Sequence, residues 1–145
     1  MEIYTIGFTQ KSARAFFGSL TGAGIRRLID VRLNNISQLA GFTKRDDLCY
    51  FLEALSGADY VHEPLLAPTA ELLTAYRKHG LSWIEYERLF LRLMDERRVL
   101  ECLPRALFDR PVVLLCSEPT ATRCHRRLVA EYLESHWDDV TVHHL

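Results

Sequence analysis

Val112-Val113-Leu114-Leu115, running into Cys116, is the clearest strand in the chain. It is apolar on both faces, as a central strand of a parallel sheet covered by helices on both sides should be. Downstream, Thr122 is positioned to cap a helix that uses Leu128, Val129, Tyr132 and Leu133. Val140 to Leu145 then reads as a last strand. Upstream, Ile3 to Ile6 ends at Gly7 and reads as a first strand. Arg27-Leu28-Ile29-Asp30-Val31 is a second, with Arg32 just past its end. Between them, Ser12 caps a helix carrying Phe16, Phe17 and Leu20, closed by Gly22 and Gly24. Two apolar strands around a helix form a βαβ unit with a right-handed crossover.

The middle of the chain continues the alternation. Leu33 to Gly41 lacks periodicity and reads as a loop. Thr43 can cap a helix with Leu48, Phe51, Leu52 and Leu55 at i, i+3, i+4, i+7 spacing, ended by Gly57. Asp59 to His62 is a short third strand. Thr69 to His79 is a helix stopped by Gly80. Ser82 and Glu85 form a capping-box pattern before a helix with Tyr86, Leu89, Phe90 and Leu93 on one face. Val99, Leu100 and Leu103 extend helical structure as far as Pro104. The whole predicts an α/β fold over residues 1–145 as a single domain. It is a Rossmann-like three-layer sandwich with a mostly parallel sheet of about five strands.

Composition narrows the class. The chain has 145 residues, 48% hydrophobic and 26% charged, with 18 basic and 19 acidic residues and a net charge of -1. That balance argues against a dedicated nucleic-acid coat, though not against a local basic patch. No apolar run approaches the roughly 18 residues of a membrane span. The first residues carry no basic n-region or cleavage site, so no signal peptide is expected. The four cysteines, Cys49, Cys102, Cys116 and Cys124, are then expected to be free thiols in the cytoplasm.

In open α/β sheets, ligands bind at the carboxyl ends of the strands. Those ends are Gly7, Arg32 and Cys116, so residues remote in sequence converge on one edge. The segment Cys116-Ser-Glu-Pro-Thr-Ala-Thr-Arg-Cys-His-Arg126 is dense in reactive groups. Cys124 would fall in the first turn of the last helix, where partial positive charge favours thiolate. His125 can carry a proton near neutral pH or ligate a metal. Arg32, Arg123, Arg126 and Arg127 could hold an anion, and Glu118 could serve as an acid/base. Tyr60 and His62, two apart on the third strand, would face one side of the pocket. The plainer alternative is that the cysteines are buried small hydrophobes and the arginines a solvated face. Cys49 and Cys102 are assigned to structure, Trp83 and Trp137 to packing, and His143 and His144 to a frayed end.

Several segments together resemble a known family. Tyr4-Thr-Ile-Gly7, Asp30-Val-Arg32, Phe42-Thr-Lys44, Tyr60-Val-His62, Leu114-Leu-Cys-Ser-Glu118, Cys124-His-Arg126 and Val142-His-His-Leu145 occur in the order of the family catalogued as domain of unknown function 488. The resemblance implies a small α/β fold and a shared pocket, and no particular reaction. The family usually has histidine and serine after Thr-Ile-Gly, where this chain has Phe8 and Thr9. Its proline- and arginine-rich stretch is replaced by Leu33 to Gln38. These departures bear on activity rather than fold.

Three functions stay open. The first is a thiol-centred small-molecule site, with Cys116 as nucleophile or ligand, Glu118 as acid/base, His125 as proton carrier, and Arg32 and Arg126 as anion anchors. It could be metal-assisted: Cys116, Cys124 and His125 suit zinc or iron. Against one shared ion, adjacent residues on a helix point about 100° apart. The second is a rhodanese-like or phosphatase-like enzyme using Cys116. It is weakened by the long Cys-x6-Arg spacing, by the repelling charge of Glu118, and by Pro119, which lacks an N–H. The third is a non-enzymatic binder of nucleotide or nucleic acid, with Arg26, Arg27, Arg32, Arg123, Arg126 and Arg127 forming a basic rim. A Gly-x-Gly-x-x-Gly or Walker loop is lacking.

Overall fold

A computed structural model of the chain describes residues 1–36 and 41–145. Five strands form one sheet: β1 (Glu2–Gly7), β2 (Arg27–Asp30), β3 (Asp59–His62), β4 (Val112–Cys116) and β5 (Thr141–His144). Their order is β3-β2-β4-β1-β5, and every pairing is parallel. The described helices are α1 (Ala13–Gly22), α2 (Arg45–Ser56), α3 (Ala70–Lys78), α4 (Trp83–Glu96), α5 (Val99–Cys102) and α6 (His125–His136). The fold is therefore the expected α/β sandwich, with β4 at the centre of the sheet and buried throughout. β1 and β2 do not pair directly; β4 lies between them.

The side chains of β4 alternate between two cores, as the period of a strand requires. Val112, Leu114 and Cys116 join Phe90, Met94, Leu128 and Leu133 beneath α4 and α6. Val113 and Leu115 join Phe16, Leu20, Leu48 and Leu52 beneath α1 and α2. Burying each such aliphatic or aromatic side chain contributes about 1.5–3 kcal/mol relative to exposure. No helix among the described residues is long and apolar enough to cross a membrane.

Several caps form as expected. Ser12 Oγ accepts from the Ala15 N–H at 3.1 Å, and Thr69 Oγ1 from the Leu72 N–H at 3.1 Å. Ser82 Oγ accepts from the Glu85 N–H at 3.2 Å, but the Glu85 carboxylate turns to Arg88, so the capping box is only half made. Gly57 ends α2 at φ 65°, a conformation that costs glycine little.

Other expectations are corrected. Lys44, and not Thr43, is the cap residue of α2, and it makes no side-chain cap. Thr43 is buried in a preceding 3₁₀ turn, where its carbonyl is claimed by Arg32. Asp46 and Asp47 in the first turn favour that helix end electrostatically. Leu55 is exposed because α2 buries only Leu48 and Leu52 fully. His143 and His144 are not frayed. They lie in β5, with the His144 Nδ1 2.7 Å from Thr5 Oγ1. The loop expected over 33–41 falls partly on residues 37–40, outside the described residues.

Candidate functional site

β1 and β4 are neighbours, yet the chain leaves them for opposite faces of the sheet: β1 leads to α1, and β4 to α6. A crevice opens at such a switch point, outside the carboxyl ends of the strands. Gly7 and Cys116 face each other across it in register. The crevice continues into a cavity of about 630 Å³ whose wall includes Phe8, Tyr76, Trp83, Cys116, Cys124 and His125.

The turn between β4 and α6 decides how these groups meet. Cys124, and not Thr122, is the cap residue of α6, with an extended backbone at φ −139° and ψ 138°. The expected divergence of two neighbouring helical residues therefore does not apply to Cys124 and His125. Cys116 Sγ, Cys124 Sγ and one His125 ring nitrogen all lie within 4.8 Å of one another. All three residues are buried, at 4%, 2% and 6% exposure, yet each lines the cavity.

The tautomer of His125 follows from its partners. Nε2 lies 2.7 Å from the Val31 carbonyl oxygen, which can only accept, so Nε2 carries a proton. In the neutral ring Nδ1 then has a free lone pair, and it sits 3.4 Å from Cys116 Sγ. It can accept the thiol proton or bind a cation, with the Val31 carbonyl fixing the ring.

The two sulfurs are driven apart in acidity. The Cys124 thiol beside it holds the Cys116 thiol below its ordinary pKa, against the opposing effect of burial, with help from the Ser117 and Glu118 N–H groups and the charge of Arg126. The same neighbour, Cys116, pushes the Cys124 thiol up, and burial adds to the shift. Burial, then the two sulfurs, also raises the Tyr86 hydroxyl. One thiol is thus favoured as thiolate and the other as proton donor.

The arginines divide by orientation. Arg32 reaches the cavity, but its charge is already paired. Nε donates to Asp30 Oδ1 at 2.9 Å, and Nη2 donates to Asp30 Oδ2 at 2.8 Å and to the Thr43 carbonyl at 2.7 Å. Its guanidinium also lies 5.4 Å from the centre of the Phe8 ring. Tyr60 and His62 share a side, as their spacing predicts, but they do not line this cavity. Tyr60 donates to Asp30 Oδ2 at 2.6 Å, and His62 Nε2 donates to the Arg32 carbonyl at 3.0 Å. Burial, then Asp30, raises the Tyr60 hydroxyl. Both residues brace the Asp30–Arg32 pair.

Arg126 follows His125 on α6 and points to the β1 side of β4. It is fully buried and does not line the cavity. Nη1 donates to the Glu118 carbonyl at 2.6 Å, while Nε and Nη2 have no partner among the described residues. Gly7 is what permits this. A Cβ there would lie 1.5 Å from the Glu118 carbonyl oxygen and 2.9 Å from Arg126 Nη1. Thr9 completes the hold on the loop: its N–H and hydroxyl both donate to the Ser117 carbonyl, at 3.0 and 2.5 Å.

Glu118 lines the cavity with an exposed carboxylate 3.9 Å from an Arg77 nitrogen. Arg123 is exposed at the cavity wall. Arg127 is spent on Glu131 and Glu87, at 3.2 and 3.6 Å. Arg26 and Arg27 lie at the amino end of β2, away from the carboxyl-end crevice, so the expected basic rim does not assemble. Cys49 is half-buried on α2 and Cys102 is exposed at the end of α5, neither near the cluster. Trp137 is core, as expected, but Trp83 is half-buried and forms cavity wall with Tyr76 and Tyr86. Trp83 and Tyr86 stack with centroids 5.2 Å apart at 20°, and Tyr76 meets Trp83 edge-on and Tyr86 at a tilt. No local sequence pattern marks Tyr76, Arg77 or the Val31 carbonyl as site groups. Phe8 could have been found from its place just after the first strand.

Comparison with curated proteins and with solved structures finds no match. A family model described as "Domain of unknown function DUF488" matches residues 12–133. That span takes in Asp30 to Arg32, Tyr60 to His62 and the whole turn from Cys116 to Arg126. The cluster described above therefore sits inside the matched region, and the chain belongs to the DUF488 family.

Proposed function

We propose that this is a thiol-centred small-molecule site in which Cys116 is the nucleophile. The observation that carries the reading is the 3.4 Å approach of Cys116 Sγ to His125 Nδ1, with His125 Nε2 held by the Val31 carbonyl and the sulfur opening onto the cavity. A nucleophile, a base in reach, and a group orienting that base are the parts such a site needs. His125 takes the thiol proton and returns it to a leaving group. Glu118 is near enough to the mouth to act as a second acid/base. The cavity's aromatic wall and the exposed Arg77 and Arg123 favour an organic ligand with an anionic group. Free thiols suit a reducing compartment such as the cytoplasm.

The rhodanese-like or phosphatase-like alternative has less support. The Cys116–Arg123 loop is long for an anion cradle, and Pro119 within it offers no N–H. A nucleic-acid role lacks the basic rim it would need. One observation favours a second reading, metal assistance. Cys116, Cys124 and His125 would hold such an ion: two sulfurs and an imidazole nitrogen within 4.8 Å make a donor set that fits zinc. Bound zinc would polarise a ligand there.

Competitive labelling tests the reading. Chelator-treated, reduced protein is exposed to limiting iodoacetamide, and the labelled peptides are identified by mass spectrometry. Cys116 is expected to react ahead of Cys102, although Cys102 is exposed and Cys116 is buried. Labelling that follows exposure, with Cys102 first and Cys116 inert, would contradict it.

A further inference from the structure

We propose that Cys116 and Cys124 form a reducing dithiol for small disulfides that carry carboxylates, with Cys116 forming the mixed disulfide and Cys124 resolving it. This rests on the reading of Cys116 as the nucleophile and adds a substrate class and a second working thiol.

Three observations point here. The two sulfurs lie within 4.8 Å of each other. A disulfide needs about 2.05 Å between them. Cys124 is the cap residue of α6 with extended backbone, so its sulfur can swing toward Cys116 without breaking a helical turn. Both sulfurs are almost fully buried except where they face the cavity, so only a molecule that enters the cavity reaches them. The mouth then selects by charge. Arg77 and Arg123 are exposed there against the single carboxylate of Glu118, while Arg32 is neutralised by Asp30. A carboxylate is favoured over an ammonium.

The chemistry balances. His125 takes the Cys116 proton, the Cys116 thiolate attacks one sulfur of the disulfide, the S–S bond breaks, and the first thiolate leaves with that proton. Cys124 then gives its own proton to the emptied His125 nitrogen and attacks the Cys116 sulfur of the mixed disulfide. The Cys116–Cys124 bond forms, and the second thiolate leaves with the second proton. Two electrons pass from the protein to the substrate, which ends as two thiols. An excess of a small thiol returns the protein to its starting state.

Two probes of similar length and opposite charge test the proposal: 3,3′-dithiodipropionate and cystamine. Each is mixed with reduced, chelator-treated protein, quenched with acid, and followed by intact mass and peptide mapping. Each rate is divided by that of the same disulfide with free 2-mercaptoethanol, which removes intrinsic reactivity. Wild-type protein is expected to lose two hydrogens, with Cys116 and Cys124 joined. Cys124→Ser is expected to retain the probe on Cys116, and Cys116→Ser to form no adduct on the same timescale. The normalised rate for the dicarboxylate should exceed that for cystamine by roughly tenfold or more, and Arg123→Glu should narrow that gap. Circular dichroism confirms that each variant is folded. A mixed disulfide that persists in the wild type, or a resolved bond to Cys102 or Cys49, overturns the dithiol. Equal normalised rates overturn the charge selection. If iodoacetamide still labels Cys116 first but no Cys116–Cys124 bond forms, the exchange chemistry fails while the nucleophile stands. If Cys116 is also inert to iodoacetamide, both fail.

Discussion

Arg32 and Arg126 are both buried arginines at the carboxyl edge of one sheet, and they do opposite things with their charge. Arg32 meets Asp30 through two parallel hydrogen bonds, and Tyr60, His62 and the Thr43 carbonyl complete the shell. Arg126 meets one backbone carbonyl and no carboxylate, with two nitrogens left without partners among the described residues. A buried charge in low dielectric is costly unless it is paired. Arg32 is therefore a neutralised brace that shapes the cavity wall. Arg126 is a clamp on the Ser117–Glu118 turn, and its unspent charge favours thiolate at Cys116. Two residues that look alike in sequence thus separate into a structural pair and an electrostatic support for the site.

The largest effect is expected on the Arg32 side. Asp30→Ala leaves a buried guanidinium without its carboxylate and removes the acceptor of Tyr60. We expect a loss of about 3–5 kcal/mol in unfolding free energy, measured by urea denaturation. A loss under about 1 kcal/mol would mean that Arg32 finds solvent easily and is a free anion anchor after all.

Gly7→Ala should come next. Its Cβ would collide with the Glu118 backbone at 1.5 Å, so the clamped turn has to move. An overpacking cost of about 1–3 kcal/mol is expected, together with slower labelling of Cys116 as its N–H donors shift away. Unchanged labelling with unchanged stability would show that the turn is not held as described.

The smallest effect on stability is expected from Arg126→Met, which keeps an unbranched, though shorter, side chain and removes both a hydrogen bond and an uncompensated charge. These changes oppose one another, so the change in unfolding free energy should stay below about 2 kcal/mol. The signature lies in pH dependence. Cys116 reacts as thiolate, and its pKa lies below the ordinary thiol value, so the labelling rate of the wild type should reach half its plateau at lower pH than that of a small free thiol. Without the neighbouring cation that midpoint should move to higher pH in Arg126→Met. A midpoint that does not move removes Arg126 from the electrostatics of the site.

The same contrast explains how much was legible in the residues alone. Apolar runs such as Val112 to Leu115, glycine stops and the Ser12 and Thr69 caps are local, and local chemistry decides them. The caps expected at Thr43 and Thr122 failed because distant groups decide those turns: Arg32 takes the Thr43 carbonyl, and Cys124 stays extended at the cap so that its sulfur faces Cys116. The cluster of Cys116, Cys124 and His125 was readable because one short segment carries it. The divergent pointing of His125 and Arg126 follows from their adjacency on a helix, and it placed Arg126 behind the turn instead of in the pocket. Tyr76, Trp83 and Arg77 were not readable as wall, since α3 and α4 reach the site only through tertiary packing.

The most direct measurement is the proton inventory of His125 by nitrogen-15 NMR, on reduced and chelator-treated protein with imidazole-labelled histidine. The geometry predicts that Nε2 keeps its proton across neutral pH, held by the Val31 carbonyl, while the Nδ1 resonance shifts when Cys116 is replaced by serine. A neutral ring with its proton on Nδ1 and a bare Nε2, unaffected by Cys116→Ser, would contradict it, because the sulfur would then face no base.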